Sequence, residues 1–540
     1  MGVSPNEGRA SLPAFRVVLV LALLAAPSPV LSQDHDHPAG EAMVGSVTFP
    51  TSCAAEVQPD IDRAVAMLHS FWFEQAEATF GEVAVADPGC AMAHWGLAMT
   101  YWGNPMTRAA PPAERQAAAA EAVSRARELV SGASHREQMY VDAAAALYDG
   151  RDDRDHLTRM RSHEEALRRL AEMHGDDPEA TIFLGRIMIA NASPDDLTFS
   201  HQRAAAALLE PVFQRMPDHP GLAHYIIHAF DAPAIAEEGL EAARRYADIA
   251  PAAPHALHMP SHIFTRLGYW QESVETNRRS AAAEPVPDAA VHPMDYLVYA
   301  HLQMGQDEAA GQIVATARAI PDRYYSGLLG YNFAAMHARY ALERDRWSEA
   351  AAVSVPTGAL PFVEAVSRFA RALGSARAGD AMGAQRELAA LAELQARLEE
   401  GGDGYWATVV GAQRLAASAW EAHARGAAGD AVRLAREAAD LEATVEKHPV
   451  TPGPLLPARE LLGDLLLELD RPTQALMAYS QTLEREPRRA RALYGAARAA
   501  EASGAEEEAR VYYQELLELL ADADASRQEV EAARRFLRTG

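Results

Sequence analysis

Lysine is all but missing from this chain: Lys447 stands alone among 540 residues, against a combined Lys and Arg count of 49. That absence excludes a GxxxxGK[ST] phosphate loop, and with it nucleotide binding of that type. It also leaves Schiff-base chemistry a single candidate amine. A preference for arginine codons explains the bias without any function. Positive charge is short overall, and the net charge of -26 excludes the basic surface that nucleic acid requires. The same deficit disfavours docking on anionic lipid. Aromatic residues make up only 7% of the chain and β-branched residues are sparse, so Ala, Leu, Glu and Arg dominate and favour helix throughout.

Long apolar runs are missing too. The longest, Val17 to Ala26, follows Arg9 and Arg16 and is too short to cross a bilayer. With Val30-Leu31-Ser32 before Gln33, residues 1–32 read as a secretory signal, and the protein is expected to be exported, periplasmic or secreted, with no membrane span. Residues 33–50 are expected to be a disordered tail carrying His and Asp. Cleavage after Ser32 would leave Gln33-Asp34-His35, whose free amine and third-position His35 form a square-planar Cu(II) or Ni(II) candidate. Cysteine is limited to Cys53 and Cys90, and two thiols in an oxidising compartment are expected to pair. No GxSxG elbow, HExxH or strand-borne GxGxxG occurs.

What the chain does contain is a repeat. Ala76, Phe80 and Pro88 are spaced as a small residue, an aromatic and a helix-ending proline. Gly463, Ala475, Tyr479 and Pro487 repeat the arrangement, and Ala509 and Tyr513 follow Ala475 and Tyr479 after 34 residues. Gly268 and Pro285 mark another unit. On these residues the chain resembles the tetratricopeptide repeat family, strongly at 57–100, 219–350 and 455–522. The resemblance implies an all-α fold, a superhelical solenoid of antiparallel helix pairs. Cys53 would precede the first helix of its hairpin and Cys90 follow the second, so a bridge would staple the N-terminal unit. Turn-forming stretches at 354–361, 399–406 and 447–458 suggest divisions into 51–355, 356–450 and 451–540, the last set off by a Pro-rich connection.

Histidine is the residue this sequence concentrates. HYIIHAFD contains His224 and His228, and HALHMPSHIF contains His255, His258 and His262. His224 and His258 are 34 residues apart, as are His228 and His262, so both pairs hold the same positions in consecutive repeats. The family resemblance implies that these positions face the concave groove, where a protein or peptide partner would also bind. Stacked helices lie about 8–10 Å apart and i,i+4 side chains share a face, so four imidazoles can converge. In the next unit His292, Asp295 and Tyr299 fall on the corresponding face, and Asp231 sits where a carboxylate could orient an imidazole. Pro260 interrupts the proposed helix and threatens the His258–His262 geometry. The aromatic cluster Phe71, Trp72, Phe73, Trp95, Tyr101 and Trp102 is expected to be core.

Neutral imidazoles with a carboxylate suit Zn, Cu or another divalent transition metal. The expected function is therefore an exported solenoid whose concave face binds a ligand, a metal held by the histidines. The alternatives are a metal-free protein-interaction scaffold, in which the histidines serve hydrogen bonding alone, and a metal-dependent hydrolase with Asp231 or Asp295 as base. Of these, enzyme activity has the least sequence support.

Overall fold

Alanine-rich amphipathic segments separated by Gly, Asp and Pro turns give helix after helix, and among the described residues there is no strand. The computed structural model describes residues 1–2, 43–284, 289–320, 328–524 and 527–539. The expected signal at 1–32, apart from its first two residues, and the candidate His35 lie outside that description. The unit from Met43 onward is an all-α solenoid of successively stacked helices.

The small-large pattern of the repeat has a direct steric meaning. A Cβ added at Gly96 would stand 2.4 Å from the Phe80 ring, and one at Gly495 would stand 2.3 Å from the Tyr479 ring. Glycine at the crossing admits the aromatic from the neighbouring helix, and both aromatics are consequently buried.

Cys53 and Cys90 form a disulfide across the first hairpin, Gln58–His69 with Phe73–Ala86. Residues 43–50 depart from the expected tail. Val44, Val47 and Phe49 are buried, and Phe49 stacks on Trp95 with ring centroids 5.1 Å apart. Ser46 N–H and Met43 C=O bond to the backbone of Asp218 and Ala252. This apolar VxxVxF spacing drives an extended strap into the core, which the adjoining polar stretch obscured in the sequence.

The expected divisions also differ. One apolar core runs from Tyr331 through Leu455 and Leu465 to Ala499, across both the 355/356 and 450/451 boundaries. The Pro-rich connection is buried rather than a spacer: Val450, Thr451, Leu455 and Leu456 are each under a tenth exposed. Pro457 directly precedes the helix Ala458–Glu468, and the chain leading to it stays packed.

Candidate metal centre

Two of the helices that carry the histidines begin alike. Pro220 opens the helix Pro220–Phe230 and Pro254 opens Pro254–His258, each within the first turn where the missing N–H costs nothing. Pro260 splits the second segment, so that Pro260–Leu267 starts afresh after Met259 and ends at Gly268 in the left-handed region. Val291–Gln303 follows. The break does not part His258 from His262: their Nε2 atoms stand 3.0 Å apart.

The column is not one tetrad of His224, His228, His258 and His262. It divides into two triads, His224/His228/His255 and His258/His262/His292, and within each the ligand atoms lie within 4.8 Å of one another. The reason is a stagger between neighbouring helices. His224 meets His255, 31 residues on, with Nε2 atoms 3.1 Å apart, whereas its repeat equivalent His258 falls to the other triad. His224, His258 and His262 are buried, and His228, His255 and His292 are half-buried.

Each buried imidazole is held through its other nitrogen. His224 Nδ1–H donates to the His69 carbonyl at 2.6 Å, His258 Nδ1–H to Asn277 Oδ1 at 2.7 Å, and His262 Nδ1–H to Asp231 Oδ2 at 2.8 Å. The Asn277 amide is oriented by its own Nδ2, which donates to the Ser273 carbonyl at 2.7 Å. All three partners are acceptors only, so the protons sit on Nδ1 and the neutral rings present Nε2 lone pairs inward. Anchoring of this kind fixes the tautomer and raises ligand basicity. Burial, followed by the neighbouring imidazoles, holds His224 and His258 well below the ordinary value of 6.5. Burial also lowers His262, against the pull of Asp231. His228 Nε2 and His292 Nδ1 are buried without a hydrogen-bond partner among the described residues.

Asp231 collects three donors. Besides His262 it accepts from Arg266 Nε at 3.0 Å and from Lys447 Nζ at 3.0 Å. Burial works to raise its carboxyl, but Lys447, His262 and Arg266 outweigh burial and hold it well below the usual range. The sole lysine of the chain is thus buried at this centre, drawn down to about 8 by burial against the attraction of Asp231. Asp295 and Tyr299, expected on the same face, are engaged elsewhere. Asp295 pairs with Arg339 at 3.2 Å and Asn332, and Tyr299 accepts from Arg489 at 3.0 Å. Tyr296 takes the place next to the column, its hydroxyl 3.5 Å from His262 Nε2.

Several residues of the centre were not singled out in the sequence. His69, Glu179 and His219 form a buried cluster, Glu179 accepting at 2.9 Å from His69 and at 2.8 Å from His219. A Cβ at Gly221 would stand 2.6 Å from His69 Nδ1, so glycine there lets the His69 ring reach the Tyr225 hydroxyl at 2.9 Å. Phe71 covers the first triad, its ring 4.4 Å from His224 and 5.3 Å from His255. Trp95 and Trp102 are core, as expected. A cavity of about 670 Å³ reaches the column and is lined by His228, Asp231 and Lys447 together with Phe199, Phe362 and Trp406. Its signal in the sequence was Lys447 itself, an isolated exception to an otherwise uniform choice of arginine.

No family model and no curated protein matches this chain. Among solved structures it is similar to a chain of the APC/C hetero-tetramer Cut9–Hcn1, at 13% identity over 89% of this chain and 96% of that one, with a TM-score of 0.29. It is also similar to the TPR domain of P58(IPK), at 17% identity over 67% of this chain and 99% of that one, with a TM-score of 0.21. The fold assignment rests on the chain's own stacked helices, and the site stands on its own geometry.

Proposed function

We propose that this protein is a helical solenoid that binds transition-metal ions in its histidine column. The observation that carries the reading is the approach of His258 and His262. Their Nε2 atoms stand 3.0 Å apart, and each ring's proton is committed to an acceptor on the far side. Two lone pairs at that distance repel. A shared proton would place an imidazolium beside Lys447 and Arg266, two cations already gathered on Asp231. A bound ion removes the repulsion: metal–nitrogen bonds of about 2.0–2.1 Å place neighbouring ligand atoms roughly 3.3 Å apart.

Solenoids of stacked helix pairs present extended concave surfaces to partners, and the cavity wall of Phe199, Phe362 and Trp406 supports a second reading, an interaction scaffold. Hydrolysis has less support, since Asp231 is engaged by Arg266 and Lys447 and Asp295 by Arg339 and Asn332. Export remains part of the proposal. It is supported by the signal-like residues 1–32 and by a Cys53–Cys90 bridge of the kind that persists in oxidising compartments.

Elemental analysis of the full chain, prepared without an affinity His-tag, tests the metal reading. Stoichiometric metal is expected in the wild type, and at least a tenfold loss in His228→Ala/His262→Ala. A wild type that stays metal-free after incubation with Zn(II), with Cu(II) and, under anaerobic conditions, with Cu(I) would leave the scaffold reading in its place.

A further inference from the structure

We propose that the column is a paired centre holding two copper ions, one on each histidine triad; the inference rests on the metal-binding reading above. Three observations support two ions rather than one. First, donor atoms lie within 4.8 Å of one another inside each triad, and among the described residues no larger group of imidazoles meets that limit. A single ion with bonds of about 2 Å cannot serve both sets.

Second, the triads are anchored separately. The His69 carbonyl orients the first, and Asn277 and Asp231 orient the second. Each triad also joins two successive inner segments: His224 and His228 with His255, then His258 and His262 with His292. The five-residue helix Pro254–His258 supplies His255 to one triad and His258 to the other, which ties the two sites into one unit.

Third, the donor set selects the ion. Each triad offers three neutral nitrogens and no anion, because the adjacent carboxylate, Asp231, is already matched by Lys447 and Arg266. Divalent ions on both triads would repel each other and these two cations with nothing to offset the charge. Monovalent copper reduces the ion–ion repulsion to one quarter, since the energy scales with the product of the charges. Cu(I) also accepts three imidazole nitrogens as a complete shell, whereas Zn(II) seeks a fourth ligand. His228 opens on the cavity of about 670 Å³, which gives an ion a route to the column.

The test is an anaerobic titration of the metal-free full chain with Cu(I) against a chromophoric chelator, with Zn(II) titrated in parallel. Two Cu(I) per chain are expected, falling to one in His224→Ala/His255→Ala, one in His258→Ala/His262→Ala, and none in the quadruple variant. Far-UV circular dichroism checks each variant's fold, and the half-buried single changes His228→Gln and His292→Gln provide milder versions, each expected to weaken one site at least tenfold. X-ray absorption should report about three nitrogens per copper. One copper in the wild type overturns the pairing and leaves metal binding standing; no metal of any kind overturns both. Two coppers retained in either double variant overturn the triad assignment. Zn(II) bound as tightly as Cu(I) at both sites overturns the choice of metal.

Discussion

Phe71 shows how a single residue can accept strain to shape the centre. Its φ is 54°, in the left-handed region, at a turn whose counterpart in the histidine-bearing repeat is Gly268 with φ 70°. Left-handed backbone costs a residue with a Cβ about 1–2 kcal/mol. Phe71 is only 8% exposed, and deleting a buried phenyl costs about 3–5 kcal/mol, so packing outweighs strain. Phe71→Gly should therefore destabilise the metal-free protein by about 1–4 kcal/mol despite relieving the backbone, as read from urea denaturation. A neutral or stabilising result would show that the ring does not brace the histidines. His163, away from the column, sets a pH response. It is buried, its Nδ1–H donates to the Ala143 carbonyl, and burial lowers it from 6.5 to about 3. The folded imidazole stays neutral while the unfolded chain takes up a proton below 6.5. Stability from this group is thus complete above 6.5 and lost as pH falls toward 3, at up to about 1.4 kcal/mol per unit. Between pH 6.5 and 5, wild type should lose roughly 1.7 kcal/mol more than His163→Met; equal slopes in the two proteins would count against a neutral buried His163.

At the scale of elements, the first hairpin illustrates what could be read in advance. Ala76, Phe80 and the flanking Cys53 and Cys90 mark two antiparallel helices whose ends must meet, and the bridge closes them over a separation of 37 residues. A loop of that length implies about 4 kcal/mol of stabilisation through the unfolded chain. Cys53→Ser/Cys90→Ser should lower the unfolding free energy by that order, measured by denaturant titration; a change below about 1 kcal/mol would mean the hairpin holds without its staple. Pro260 taught the opposite lesson. From sequence it threatened the His258–His262 pairing, yet a helix that stops at His258 and restarts at Pro260 keeps its axis near enough for the rings to meet. Local rules anticipated the break but not its direction, because that depends on what the Trp270–Ala283 helix presents: Asn277 and Thr276 bond back to His258 and the Leu257 carbonyl.

Across the molecule from Met43 onward, distant segments close on one another. Lys447 meets Asp231 across 216 residues, Arg489 reaches Tyr299 and Glu343, and the Trp270 indole N–H donates to the Arg488 carbonyl at 2.9 Å. With one apolar core crossing both expected boundaries, residues 43–540 should unfold in a single calorimetric transition, with calorimetric and van't Hoff enthalpies agreeing. Two separable transitions would restore the division at 450/451.

By itself the amino-acid sequence determined the helices, the small-large register of their crossings, the pairing of the cysteines, and the concentration of histidine in consecutive repeats, because each follows from local periodicity and turn chemistry. Only the tertiary structure decided that six imidazoles divide into two triads, that Asp295 and Tyr299 belong to other networks, and that the lone lysine completes the centre. The physical reason is cumulative rotation. A small stagger between neighbouring hairpins sets which rings touch, and its sum over many repeats sets which remote loop arrives beside them; no single repeat encodes either.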